Sequence, residues 1–333
     1  GVGSGGGPAV RGGDGGGGVS GGRLLGGRGR TGLFGGNDPD ARIQRMLESA
    51  FKGQLVRVVS STRDGKRKLV YAYSDIDPGT YYMLDATTGK ADFYLASQAG
   101  INVQAMAQML PYDFVARDGM KLHGYITLPK GAKGPMPMVV MPHGGPFGVH
   151  DSWGFDSDVQ MLAEAGYVVL QVNFRGSDHY GRAYQRAGAR EWGGKMQDDV
   201  TDATRWAIRE GHADPRRICI FGASYGAYAA LMGVAKEPDL YRCAIGQVGV
   251  YDLRMLTGRG GGKSGAVTNW YREWVGDDKA KLEAMSPTRI AKRIKVPVML
   301  AAGGEDDTAP IDQTRVMTAE LRRASVPVET LYY

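Results

Sequence analysis

The chain has 333 residues, 42% hydrophobic and 23% charged, the composition of a globular protein with one large domain or two ordinary ones. The formal net charge is +6, about half of it in the first 36 residues, and no Lys/Arg stripe with interleaved aromatics appears; nothing marks a nucleic-acid binder. No apolar run reaches the roughly 18 residues of a membrane span, no leader pattern is visible, and the compartment cannot be read.

Residues 1–36 contain 19 glycines and almost no apolar periodicity, so this segment is expected to be disordered. Asn37-Asp38-Pro39 then opens a helix, with Asp38 as cap and Pro39 in the first turn, and Ile43, Met46, Leu47 and Ala50 recur at helical spacing. Beyond Gly53 the period changes. Residues 55–60, 68–74, 80–86 and 92–96 read as short antiparallel strands separated by turn signals such as Arg63-Asp64-Gly65-Lys66. Residues 37–110 thus make one propeller-blade-sized unit, expected to be the last part of a larger β domain.

From Pro111 to Tyr333 strands alternate with helices, the pattern of a doubly wound parallel α/β sheet. It begins with a hairpin around Asp118-Gly119 and an apolar strand at 136–141. Cys219 and Cys243 each sit in an apolar strand-like run and are expected as buried free thiols. Two cysteines without further ligands make no zinc site, and no metal or organic cofactor is implied.

The chemistry centres on Gly222-Ala223-Ser224-Tyr225-Gly226. The apolar run Ile218–Phe221 precedes it, and the Ala-rich helical stretch Ala227–Ala235 follows. A G-x-S-x-G pentapeptide between strand and helix is a nucleophile elbow: the sharp turn exposes the serine hydroxyl, and small residues on either side let strand and helix pass closely. The Tyr225 N–H then faces the position of an oxyanion. A serine nucleophile needs a base and an orienting carboxylate. The acidic loop Glu305-Asp306-Asp307, after the strand at 296–302, offers Asp306 and Asp307, with Glu305 behind them. Upstream, Pro142-His143-Gly144-Gly145-Pro146 ends an early strand where a second oxyanion donor belongs; Gly145 is the first choice and Gly144 the next. His143 precedes Ser224 and is expected to be structural or to line the substrate site.

Taken together, His143-Gly144-Gly145-Pro146, Asn173-Phe174-Arg175-Gly176-Ser177 with Tyr180-Gly181, Asp198-Asp199-Val200, the elbow and Gly303-x-x-Asp306-Asp307 resemble the prolyl oligopeptidase family, nearest its acylaminoacyl-peptidase and dipeptidyl-aminopeptidase-like branch. The resemblance implies an α/β-hydrolase domain preceded by a β-propeller, most of which is missing here. It implies a serine peptidase for short peptides, with Ser224 as nucleophile, Asp306 as orienting acid, and the Tyr225 and Gly145 N–H groups as oxyanion donors. All five histidines precede Ser224, whereas the fold's order puts the base after the acid, so the catalytic histidine is expected just beyond Tyr333 and the chain as given is expected to be inactive. A carboxylesterase on the same fold and a non-catalytic peptide-binding protein are the alternatives. Short peptides are the expected partners, with no nucleic acid and no membrane, and the oligomeric state is not legible.

Overall fold

A computed structural model describes residues 38–258 and 265–333; the expectation of disorder for residues 1–36 lies outside the described residues. The chain opens with helix α1 (Pro39–Ala50), whose N-terminal N–H of Asp40 is accepted by the Asp38 side chain, with Pro39 in the first turn. Four strands follow, β1 (Leu55–Ser61), β2 (Arg67–Tyr73), β3 (Thr80–Asp85) and β4 (Ala91–Ala96), paired antiparallel in chain order. Leu47 of α1 packs with Val56, Val70, Ala72 and Leu84 in a small separate core.

The second sheet has eight strands in the order β12-β11-β10-β9-β7-β8-β6-β5. They are β5 (Met109–Val115), β6 (Lys121–Thr127), β7 (Met136–Pro142), β8 (Val168–Asn173), β9 (Ala213–Ala223), β10 (Cys243–Gln247), β11 (Val298–Ala302) and β12 (Val328–Tyr332). β7 to β12 run parallel, as the alternation of strands and helices predicts, while β5 and β6 form the expected antiparallel hairpin and β6 is also antiparallel to β8. The turn at Asp118-Gly119 accounts for the β5–β6 pairing, since two strands joined by so short a turn must be antiparallel.

The helices of this part are α2 (Ser157–Glu164), α3 (Arg182–Arg186), α4 (Lys195–Arg209), α5 (Tyr225–Lys236), α6 (Leu253–Gly258), α7 (Gly265–Trp274), α8 (Lys279–Ala284), α9 (Pro287–Ile290) and α10 (Ile311–Arg323). From β7 the chain crosses through α2 to β8 on one side, then returns through α4 to β9 on the other. Right-handed crossovers in opposite directions place α2 and α4 on opposite faces. Eleven of the twelve residues of α5 are buried, as its all-round apolar sequence requires. It crosses the sheet centre against β9 and β10.

A polar joint connects the two sheets. Gln160 of α2 donates to the carbonyls of Asp75 and Ala107 and accepts from the Ala107 N–H, while Asp75 accepts from Met109 N–H.

The expectation of free cysteines is corrected. Parallel pairing sets Cys243 directly opposite Cys219, 4.8 Å apart at Cα, and the two form a disulfide. The spacing lies within the range that a disulfide spans without backbone movement. Both are half-buried rather than fully buried. Among the described residues no helix is long and apolar enough to cross a membrane, and no group of three or more His, Cys, Asp or Glu stands close enough to hold a metal ion.

Candidate active site

Ser224 lies between β9 and α5 with φ 56° and ψ −119°, a conformation an L-residue adopts only under strain. The packing explains what holds it there. A Cβ on Gly222 would sit 2.4 Å from Gly226 backbone atoms, and one on Gly226 would sit 2.2 Å from the Pro142 carbonyl oxygen. Strand, turn and helix therefore touch through bare backbone. The Ser224 N–H donates to the Gln247 carbonyl on β10, and its carbonyl accepts from Ala227 and Tyr228 in the first turn of α5. Among the described residues its hydroxyl has no hydrogen-bond partner.

The Tyr225 N–H is the first of α5 and has no intrahelical acceptor, as at any helix start. The Tyr225 ring is buried against Phe174, Trp192 and Tyr228, which anchors that turn. Opposite it runs the His143–Pro146 loop. A Cβ on Gly144 would stand 3.6 Å from the Ser224 Cβ, so the loop backbone passes beside the nucleophile. Gly145 has φ 112°, open to glycine but not to other residues.

His143 is fixed from both ends. Its Nδ1 donates to the Gly144 carbonyl, so Nε2 carries no hydrogen and accepts from the Ser177 hydroxyl at 2.8 Å. The ring stacks on Phe174 and is buried, and burial lowers its pKa to about 4. It is a neutral clamp on the glycine loop, with its one basic nitrogen turned to Ser177 rather than Ser224. Two residues before Ser177, buried Arg175 is held by Asp199 of α4 and by Asp118 of the β5–β6 turn. The Arg175 hydrogen bonds hold Asp118 at a pKa of about 2. Neither the His143–Ser177 bond nor the pairing of Arg175 with Asp199 and Asp118 was visible in the sequence beyond the bare presence of the residues.

Asp306 stands in the loop after β11. One carboxylate oxygen accepts from the Thr308 and Ala309 N–H groups at 2.8 Å each, and the other has no described partner. Asp307 and Glu305 are exposed and make no described side-chain hydrogen bond. Only β10 separates β9 from β11, so strand spacing alone sets the elbow and the Asp306 loop roughly 10 Å apart, a gap that an imidazole can bridge.

The histidines lie elsewhere. His123 bonds Asp113 and stacks on Tyr180, His150 packs against His179, and His212 lies against Trp206 at the opposite end of β9. Among the described residues none bonds Ser224 or Asp306. The Tyr333 N–H donates to Ala302 and its carbonyl accepts from Gly304, so the last strand runs out beside the Asp306 loop.

Residues 153–333 match the model of the prolyl oligopeptidase family. The chain is 31% identical over 306 residues to dipeptidyl aminopeptidase BIII of Pseudoxanthomonas mexicana, covering 87% of this chain and 44% of that protein. It is 30% identical over 214 residues to the mouse acylamino-acid-releasing enzyme, covering 60% of this chain and 28% of that one. A puromycin-hydrolyzing peptidase of Mycobacterium tuberculosis superposes with a TM-score of 0.72 at 26% identity, over 81% of this chain and 42% of that one. The chain thus spans less than half the length of these relatives.

Proposed function

The chain belongs to the prolyl oligopeptidase family, and from that membership we propose that it carries the nucleophile, orienting acid and oxyanion donors of a serine peptidase for short peptides. The observation that carries the reading is the clamped elbow: Ser224 at positive φ with a free hydroxyl, between two glycines that admit no side chain. In this reading the Ser224 Oγ attacks the scissile carbonyl, and the Tyr225 and Gly145 N–H groups receive the developing oxyanion. The leaving amine departs with a proton, and water then cleaves the acyl-enzyme. Asp306 orients the base through its free carboxylate oxygen.

In this reading none of the five histidines of the chain serves as the base. What supports this is that the two nitrogens of His143 are engaged and the other four histidines have partners or positions away from the elbow. The four-stranded sheet is read as one blade of a β-propeller that restricts access to peptides.

The names of the relatives suggest release of a dipeptide or an acyl-amino acid. The test is turnover of aminoacyl-nitroanilides, acyl-peptides and short nitrophenyl esters by a form of the protein that supplies the base. Preference for the amide substrates supports the peptidase. Ester turnover alone replaces it with a carboxylesterase, and peptide binding without turnover of any substrate replaces it with a binding protein.

A further inference from the structure

β10 lies between the strand that leads into the elbow and the strand that leads into the Asp306 loop. Its last peptide group, between Gln247 and Val248, bonds to both neighbours. The carbonyl accepts from the Ser224 N–H at 2.9 Å, and the N–H donates to the Ala301 carbonyl of β11 at 2.7 Å. One planar group thus joins the nucleophile's turn to the strand that carries Asp306, and a rigid plane passes any rotation at one bond to the other. The chain beyond it is tied down as well. A Cβ on Gly249 would stand 2.7 Å from the Ala227 Cβ of α5. The Tyr251 and Asp252 N–H groups both donate to the Gln313 side chain of α10, and all three residues are buried. Between these fixed points Val248 has φ 44°. Among the described residues four other non-glycine residues have positive φ, and none of them is β-branched. For a β-branched residue this conformation is an outlier that persists only where the surroundings impose it. Glycine would adopt it freely. The Val248 side chain is partly buried against the main core.

We propose that Val248 is a positioning residue for the nucleophile: its side chain confines the backbone to the narrow left-handed basin, which fixes the plane of the Gln247–Val248 peptide and with it the bond that holds Ser224. Glycine at this place would leave that peptide free to turn, because its allowed range of φ is wide. Two strained residues therefore stand at the two ends of one hydrogen bond, Ser224 on the donor side and Val248 on the acceptor side. An oxyanion donor acts through being aimed in advance, and the Tyr225 N–H follows directly on the residue so held. The kinetic consequence rests on the reading of Ser224 as nucleophile, whereas the restraint itself does not.

Amide hydrogen exchange on the 333-residue chain reads the restraint directly. Val248→Gly should speed exchange of the N–H groups of Ser224 and of residue 248 by about tenfold or more relative to the β9 amides from Ile218 to Gly222. Val248→Asn, with a side chain that tolerates the left-handed basin, should keep both as slow as in the unmodified chain. Val248→Ala should fall between glycine and valine, and it decides should Val248→Gly not fold. In a form of the protein that turns over substrate, Val248→Gly should lower kcat by about tenfold with KM within about twofold, and Val248→Asn should restore kcat. Unchanged exchange in Val248→Gly overturns the proposal, as does an equal rise across β9, which would mark a general loosening. Exchange as fast in Val248→Asn as in Val248→Gly overturns it too, because the basin would then not be what holds the peptide. Faster exchange with unchanged kcat overturns the positioning role and leaves Ser224 as nucleophile. Turnover that survives Ser224→Ala removes that reading of Ser224 and leaves the exchange result intact.

Discussion

Gly226 and Pro142 meet through bare backbone: a Cβ on the glycine would stand 2.2 Å from the proline carbonyl oxygen. This contact seats the first turn of α5 against the end of β7, and with it the nucleophile's turn against the oxyanion loop. Neither backbone can yield without moving a buried strand. Gly226→Ala is therefore expected to destabilise the fold by ~1–3 kcal/mol and, in a form of the protein that supplies the base, to abolish fluorophosphonate labelling. Gly265→Ala, at the start of α7 with no atom within 4 Å of its added methyl, is the control and should change neither. Labelling and thermal midpoint measured on both variants decide the matter; an unperturbed Gly226→Ala would remove the steric account of the elbow.

Ser224 holds φ 56° without the glycine that such a conformation prefers. Function and backbone are in conflict here, and substitution should separate them. Ser224→Gly should raise stability by about 1 kcal/mol by relieving the strain and, in a form of the protein that supplies the base, should eliminate labelling. Ser224→Ala should eliminate labelling with little gain in stability. Denaturant midpoints and labelling, read together, test this; residual labelling of either variant would move the nucleophile elsewhere.

The elbow was legible because three local signals agree there: an apolar run, a small-residue pentapeptide and a helix-forming stretch. The four strands β1 to β4 and the β5–β6 hairpin were legible for the same reason, through period and turn residues. What escaped depends on register. The Cys219–Cys243 bond exists because β9 and β10 pair with those two residues opposite, and no local pattern gives a parallel register. Likewise the clamp of His143 on Ser177 joins two loops 34 residues apart. The short helices α6, α8 and α9 also went unread, since six residues or fewer display no helical period.

Asp306 differs from Asp307 in its hydrogen bonds rather than in its position along the loop. Its bonds to the Thr308 and Ala309 N–H groups fix one oxygen and free the other. In a form of the protein that turns over substrate, Asp306→Asn should reduce kcat by about ten-thousand-fold, the scale known for loss of the orienting carboxylate. Asp307→Asn should stay within about tenfold of the unmodified enzyme. Steady-state kinetics of the two variants check the ranking, and a reversed order would transfer the role to Asp307.

The neutral clamp at His143 makes stability depend on pH. Its pKa falls from 6.5 to about 4 on folding because burial opposes the charge. Between those values the unfolded chain binds a proton that the folded chain excludes, so this contribution is full above pH 6.5 and is lost as pH falls toward 4. The loss is at most ~3 kcal/mol. Urea unfolding at pH 7, 5 and 4 should show it, and His143→Gln should flatten the difference between pH 7 and 4. A variant with the same slope as the unmodified protein would assign the pH dependence to other groups.

The disulfide encloses the site's central element. The bond from Cys219 to Cys243 closes a loop with a sequence separation of 24, and that loop contains Ser224 and the whole of α5. Its effect on the unfolded chain is large, since closing a loop of this size restricts the denatured ensemble by ~3 kcal/mol. Its effect on the folded site is small, because the backbone ladder from Cys243↔Cys219 to Gln247↔Ala223 already fixes β9 against β10. Reduction should therefore separate stability from reactivity. With dithiothreitol the urea midpoint should fall by an amount equivalent to ~2–4 kcal/mol, while fluorophosphonate labelling of a form that supplies the base, measured without denaturant, stays unchanged. The double variant Cys219→Ala, Cys243→Ala should match the reduced protein and no longer respond to dithiothreitol. Thiol titration confirms that reduction has occurred. A reduced protein with an unshifted midpoint would show that the cross-link does not restrain the unfolded chain. Labelling lost on reduction in the absence of denaturant would show instead that the bond, and not the strand ladder, sets the elbow.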